Sequence, residues 1–456
     1  MSGDEYTDKE ATATILAIGD VHLGTRPASV PVDDPDIDIG QLTPEAALIQ
    51  AIDYAVDQKV DAVLFAGDVV ENKNARYEAL RPLEKCIEKL QENSIEIIGV
   101  AGNHDIEALP RLAKLLPGFK LLGAGGTWES LKLSKKGVDF AEIVGWSFGQ
   151  RKVTESPVTR LLAGDSIQLE EKTVPRIGLL HCDLGAVTSN YAPVSTAELK
   201  ESRFDLWLLG HIHKPSLKEN RDGPMNSSFG YLGSLVGLDP SESGDHGPWL
   251  ISFNGIQKPT FRQVLHAPLR WENIDVSLEG LEDVDDVWEI ISSTIEELTL
   301  SFSEDERRRP KVVGVRVSLT GAPKVYEEVC KKVEEGEWLA MSRRSNGIVV
   351  FVNKIYDQME LEYDLEDLAR GDDPPGLLAK KILTLKQGGE GAVELVNGAR
   401  ETLKEFTNMS RWRPLADHRN AVDPLDDEAI KEVLDTAARS ALSRMIALHE
   451  DGRGVS

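Results

Sequence analysis

The segment Ile97-Ile98-Gly99-Val100-Ala101-Gly102-Asn103-His104-Asp105 runs from apolar and small residues straight into an amide, an imidazole and a carboxylate. An apolar run that stops abruptly at metal-binding side chains reads as a buried strand delivering a site. Four other places repeat the pattern. Thr14 to Ile18 runs into Gly19-Asp20-Val21-His22, Ala62 to Ala66 into Gly67-Asp68, Ile177 to Leu180 into His181, and Leu206 to Leu209 into Gly210-His211-Ile212-His213. Short apolar runs bounded by Gly read as buried strands, and open α/β sheets bind ligands beyond the carboxyl ends of their strands. The chain has nine histidines, and His22, His104, His181, His211 and His213 all sit at these ends.

Between the strand ends at Asp20, Asp68 and Asn103, the segments Pro44 to Asp57 and Tyr77 to Glu92 carry apolar residues at helical spacing. That βαβαβ order predicts a parallel, layered sheet. Further strands are predicted at Ala141 to Trp146, Gly230 to Leu232 and Trp249 to Phe253.

Asp20, His22, Asp68, Asn103, His181, His211 and His213 form a set of carboxylate, imidazole and amide ligands too large for one tetrahedral ion. Two divalent ions, about 3.5–4 Å apart as in two-metal hydrolases, fit it better. The expected division places Asp20, His22 and His213 on one ion and Asn103, His181 and His211 on the other, with Asp68 bridging. Oxygen and nitrogen ligands without thiolate favour Mn²⁺, with Fe or Zn²⁺ as alternatives.

The series DxH, GD, GNHD, H, GHxH resembles the calcineurin-like metallophosphoesterases, in that family's order. The resemblance implies a four-layer α/β fold, a double β-sandwich flanked by helices, for residues 11–270. Asp20-Val21-His22-Leu23-Gly24 and Tyr231-Leu232-Gly233-Ser234 are similar to the SbcD-type DNA-repair exonuclease branch. It implies in-line attack on phosphorus with both metals neutralising the transition state. His104 would protonate or stabilise the leaving oxygen. Glu71, where relatives carry Asp or His, is the candidate to hold the His104 ring. Asn190 and Tyr191 are candidate substrate-binding residues, since an exposed Tyr can stack on a base. His246, His266, His418 and His449 match no motif.

After Trp271, strands at Asn273 to Val276, Val312 to Leu319 and Gly347 to Val352 alternate with helices at Val284 to Leu298 and Lys324 to Glu334. Residues 271–356 thus read as a small α+β unit that resembles the capping domain of SbcD-type nucleases. Arg307, Arg308, Arg309, Arg343 and Arg344 there are either phosphate contacts or surface charges. Residues 357–456 read as a helical C-terminal region. In it, Asp426 or Asp427 caps a helix whose Ile430, Leu434, Ala437, Ala441, Met445 and Leu448 form an apolar stripe. That helix either packs on its own protein or docks a partner. The resemblance names an SbcC-type, SMC-like coiled-coil ATPase as that partner, together with DNA and a second copy of the chain.

The length of 456 residues exceeds a single core. No run approaches the roughly 20 apolar residues that span a bilayer. Met1 to Glu10 is polar and acidic, unlike a secretory signal, and three scattered cysteines give no disulfide framework. These features predict a cytoplasmic protein. The net charge of −26 repels polyanions. Bound metals and a basic partner reverse that locally, and an acidic surface also serves solubility, so charge alone does not choose the substrate. The expected function is a Mn-dependent DNA exonuclease/endonuclease subunit of a double-strand-break repair complex. The alternatives are a phosphoesterase acting on a nucleotide or other small phosphate ester, and a non-catalytic scaffold of the same fold. The stretch Val32-Asp33-Asp34-Pro35-Asp36 is expected to be a solvated acidic insertion.

Overall fold

The computed structural model describes residues 13–71, 80–164, 167–186, 188–219, 228–255, 257, 259–264, 267–302, 309–339, 341–360, 365–407 and 426–451. His266, Arg307, Arg308 and His418 lie outside the described residues. The contacts divide the chain into two units. The first comprises Met1–Glu272, Leu298–Gly314 and Ser342–Phe351, and the second Asn273–Glu297, Val315–Met341 and Val352–Ser456.

In the first unit the chain alternates strands and helices: β1 (Ala13–Ile18), α1 (Pro44–Asp57), β2 (Ala62–Phe65), α2 (Leu80–Glu92), β3 (Glu96–Gly99), α3 (Ala108–Leu115) and β4 (Phe119–Leu121). It continues through β5 (Trp128–Lys135), β6 (Val138–Trp146), α4 (Pro157–Ala163), β7 (Arg176–His181), β8 (Asp183–Leu184), β9 (Pro193–Val194), α5 (Thr196–Glu201), β10 (Leu206–Gly210) and β11 (Ser228–Tyr231). Two final strands, β12 (Trp249–Phe253) and β13 (Thr260–Gln263), return beside β1. α1 begins and ends where its sequence predicts. Thr43 Oγ1 accepts the Ala46 N–H, Pro44 occupies the first turn where no N–H is needed, and Ala47, Leu48, Ala51, Ile52 and Ala55 give one buried face.

Six strands form one sheet in the order β13-β12-β1-β2-β3-β4, and five form a second in the order β11-β10-β7-β6-β5. From β1 to β4, and from β6 to β11 across the second sheet, all pairings are parallel. Side chains alternate across a strand, and the core shows it. Ile15 and Ala17 share a cluster with Ile177, Leu179, Leu206 and Leu208 of the other sheet. Leu16 and Ile18 pack instead with Leu48 of α1 and Leu83 of α2. On the far side, Leu180, Trp207 and Leu209 pack with Val158 of α4 and Leu199 of α5. The layers are therefore helix, sheet, sheet, helix, the double β-sandwich expected from the sequence. Parallel pairing puts strand ends side by side, with Ile18 beside Phe65, Phe65 beside Gly99, and His181 beside Gly210.

Strands β14 (Leu269–Ser277), β15 (Val312–Thr320) and, after β16 (Ser342–Ser345), β17 (Ile348–Asp357) run from the first unit into the second, and each unit holds its own part of a sheet ordered β14-β15-β17-β16. The second unit adds α6 (Val287–Ser301, shared at its end with the first), α7 (Tyr326–Glu335), α8 (Leu365–Leu368), α9 (Pro374–Gln387), α10 (Glu390–Thr407) and α11 (Asp427–Asp451). α6 starts three residues later than predicted, because Asp283 caps a 3₁₀ turn at Val284–Asp286 first. The predicted stripe of α11 needs correction. Ile430 is buried, but Ala437 and Met445 face solvent, while Ala438, Leu442 and Ile446 pack with Ala379 and Ile382 of α9. The helix thus buries a ridge of fourth residues against its neighbour.

Candidate metal centre

All seven predicted ligands lie at strand ends in the first unit, six of them in the loops that follow. Asp20 follows β1, Asp68 follows β2, Asn103 follows β3, His181 ends β7, and His211 and His213 follow β10. His22 (φ 54°), Asp68 (φ 48°) and His211 (φ 107°) hold positive backbone angles that cost non-glycine residues energy. Backbone hydrogen bonds fix these turns, among them His22 N–H to the Asp68 carbonyl at 2.9 Å and Leu23 N–H to the Val69 carbonyl at 3.0 Å. Gly102 explains the glycine of the third motif. A Cβ there would strike the Asp68 carboxylate and backbone nitrogen, so the two loops approach this closely only with glycine.

The side chains converge in two donor sets. Ligand atoms of Asp20, His22 and His213 lie within 4.8 Å of one another, and those of Asp20, Asp68 and His181 do the same. Nε2 of His22 faces Nε2 of His213 at 3.0 Å. Nε2 of His181 is 3.0 Å from Asn103 Oδ1 and 3.2 Å from Asp68 Oδ2. Asp68 Oδ2 of the second set also lies 3.9 Å from His22 Nε2 of the first, and Asp20 belongs to both. The His211 ring packs against that of His181 with centroids 5.3 Å apart, and the His211 backbone N–H donates to Asp20 Oδ1 at 3.0 Å.

This donor set fits divalent cations. His181 Nδ1 faces the Ala66 carbonyl at 3.1 Å, so it carries a hydrogen, and Nε2 is the ring atom aimed at Asp68 and Asn103. Imidazole nitrogens and carboxylate oxygens pointing at one another repel unless a proton or a cation lies between them. Cys182 supplies no thiolate; it is wholly buried in the core and burial pushes its thiol up.

The electrostatics carry the same imprint. Burial would lower His181, but the carboxylates of Asp68 and Asp20 outweigh it and push it up to about 9. Burial raises Asp20, while the histidines hold Asp68 well below the usual carboxylate range against its own burial. Burial and the neighbouring His181 drop His211 to about 3.

Beside these sets, Glu71 Oε2 lies 2.9 Å from His104 Nδ1 and 3.5 Å from His22 Nδ1. These histidines hold Glu71 below its ordinary value, His22 contributing most. The His104 side chain is 46% exposed, so its other face is open to a ligand. Tyr191 is exposed, with its ring centroid 5.0 Å from that of His211; Asn190 contributes its carbonyl to Val153 N–H. The acidic stretch after the first motif is not simply solvated. Asp36 pairs with Arg344 at 2.9 Å, and Gln41 accepts from Lys311.

Two residues escaped the sequence reading. Asp105, wholly buried, accepts the N–H groups of Val69 and Gly102 at 2.7 Å each and ties the second and third motif loops together. Its signal was present as the last residue of Gly-Asn-His-Asp. Glu242, in the turn before β12, places Oε1 2.6 Å from His213 Nδ1, and no pattern marked it.

Residues 13–215 match the family described as Calcineurin-like phosphoesterase, which supports the superfamily read from the motifs. The uncharacterized metallophosphoesterase YhaO of Bacillus subtilis (strain 168) is 26% identical over 71% of this chain and 76% of its own length. The DNA double-strand break repair protein Mre11 of Methanococcus maripaludis is 25% identical over 50% of this chain; the match spans 59% of that protein. A dimetal phosphatase from Danio rerio aligns with 56% of this chain and 99% of its own at 13% identity, with a TM-score of 0.33. Among the described residues, no helix is long and apolar enough to cross a membrane.

Proposed function

We propose that this chain is a two-metal phosphodiester hydrolase that cleaves DNA as the nuclease subunit of a double-strand-break repair complex. The observation that carries the hydrolase reading is Asp68, whose one carboxylate oxygen lies 3.2 Å from His181 Nε2 of one donor set and 3.9 Å from His22 Nε2 of the other. Asp20, His22 and His213 would hold one ion and Asn103, His181 and His211 the other, with Asp68 shared. Two ions there would supply Lewis-acid charge for the phosphoryl oxygens and a water acidic enough to attack at neutral pH. The remaining work belongs to the chain. The His104 backbone N–H donates to Asp68 Oδ1 at 2.8 Å and holds the carboxylate against the loop. Glu71 accepts a hydrogen bond from His104 Nδ1–H and turns Nε2 toward the open side, where the doubly protonated ring would give its Nε2 proton to the leaving oxygen and be left as the neutral Nδ1–H form.

DNA as substrate is supported by the motif resemblance and by the similarity to the DNA double-strand break repair protein Mre11 of Methanococcus maripaludis. The second unit would act as a capping region and its helices as the dock for a coiled-coil ATPase, with Mn²⁺ as the metal. A small phosphate ester is the second reading, favoured by the net charge of −26 and by the pairing of Arg344 with Asp36, which removes a cation from a polyanion's reach. The test is Mn²⁺-dependent degradation of end-labelled double- and single-stranded DNA beside a small phosphodiester and a phosphomonoester, with Asn103→Ala and His104→Ala as controls. DNA cleavage lost in both variants supports the nuclease. Turnover of small esters with DNA left intact supports the second reading.

A further inference from the structure

The loop from Ser234 to His246 supplies no member of either donor set, yet it closes on His213. Glu242 Oε1 meets His213 Nδ1 at 2.6 Å, with the carboxylate side chain only 18% exposed. Its other oxygen accepts the Leu238 N–H at 2.8 Å, so both oxygens are committed. The backbone behind it is held as well. The Glu242 carbonyl lies 3.0 Å from His246 Nε2, and His246 Nδ1 lies 2.9 Å from Ser234 Oγ. Ser234 in turn bridges Asp20, whose carbonyl accepts the Leu235 N–H at 2.8 Å. The loop is thereby pinned at one end to the Asp20 turn and at the other to the His213 ring.

A carboxylate only accepts, so His213 Nδ1 must bear the hydrogen, and a neutral imidazole has no second one to give. Nε2 is then bare, and it is this atom that faces His22 Nε2 at 3.0 Å. We infer that Glu242 is the positioning residue that sets the tautomer and aim of His213 and so makes it a cation ligand. The ligand role rests on the two-metal reading, whereas the tautomer assignment does not.

Glu242→Gln separates the two. The Leu238 N–H still demands an oxygen, so the glutamine turns its NH₂ toward His213 Nδ1 and drives the proton to Nε2. Glu242→Ala removes the bias without reversing it. Long-range ¹H–¹⁵N correlation of the His213 ring in metal-free protein at pH 8 reads the tautomer, and equilibrium dialysis with Mn²⁺ reads affinity and stoichiometry. The expected result is Nδ1–H in the wild type, Nε2–H in Glu242→Gln and a mixture in Glu242→Ala. One of two Mn²⁺ ions should bind about 10–100-fold more weakly in both variants, as for other partners of metal-bound histidines. His213 remaining Nδ1–H in Glu242→Gln, or both Mn²⁺ affinities staying within about twofold of the wild type where it does bind, overturns the inference. A wild type that binds no Mn²⁺ while Glu242→Gln still flips the tautomer leaves Glu242 in its positioning role and removes the metal reading instead.

Discussion

His104 Nδ1 and Glu71 Oε2 stand 2.9 Å apart, and the same oxygen is 3.5 Å from His22 Nδ1, so one carboxylate serves both a candidate ligand and the candidate proton donor. Replacing Glu71 by Gln keeps the volume but removes the charge and one acceptor. Turnover is expected to fall about 10–100-fold with KM little changed, because ring orientation matters in the transition state more than in binding. Steady-state kinetics on a small phosphodiester check this, and an unchanged kcat would end the pairing argument.

Asp68 is nearly fully buried beside Asp20, an arrangement costly without compensating cations. Chelation of the metal-bound protein should therefore lower its melting temperature. At ion concentrations about 100 times Kd the bound metal contributes about 2.7 kcal/mol, which corresponds to roughly 5–10 °C for a domain of this size. Asp68→Asn should lose about 10²-fold or more in activity and show little response to chelator in a thermal scan. A melting temperature indifferent to chelator in the wild type would contradict the cation reading.

Gly102 tests the approach of the second and third motif loops. A methyl group there meets the Asp68 carboxylate and backbone, so Gly102→Ala must displace one loop. Overpacking of this kind costs about 1–3 kcal/mol. Denaturant unfolding should show that loss, and Mn²⁺ titration should show weakened binding although no ligand was changed. A variant with wild-type metal affinity would mean the loop yields without moving Asp68.

Four of the five strand ends were legible because each combined two signals, a short apolar run and a Gly followed by Asp, Asn or His; the fifth, at His181, showed only the apolar run ending in a histidine. Their assembly into one centre follows from parallel pairing, which aligns Ile18 with Phe65 and Phe65 with Gly99. Glu242 was not legible, because it reaches His213 across 29 residues from an ordinary Asp-Pro-Ser-Glu turn. On α11 two apolar faces of similar strength were available. Packing against α9 chose the one with Leu442 over the one with Met445, a choice made by the partner helix rather than by α11.

His246 gives a pH prediction. Burial lowers its pKa below the ordinary imidazole value, against the opposing pull of Glu242. The folded protein thus holds it neutral where the unfolded chain takes up a proton near pH 6.5. Its contribution is present above that pH and is lost as pH falls toward the folded value, since the unfolded state then binds more protons. As pH falls below about 6.5 the wild type should lose stability more steeply than His246→Gln, which does not titrate. Parallel urea midpoints for the two proteins below that pH would remove His246 from the acid response.

Tyr191 separates substrates that carry a base from small esters that do not. Tyr191 is 39% exposed and its ring lies 5.0 Å, centroid to centroid, from the ring of His211, so a phosphate held at the donor sets would bring the neighbouring base within reach of the tyrosine face. Stacking of a base on an aromatic ring contributes about 1–3 kcal/mol, or roughly 5- to 150-fold in affinity. Tyr191→Ala should raise KM for single-stranded DNA by a factor in that range and leave KM for a small phosphodiester without a base unchanged. Tyr191→Phe should behave as wild type, because the π face and not the hydroxyl makes the contact. Equal losses on both substrates would show that Tyr191 supports the His211 loop instead, and the small-ester reading would then keep its full weight.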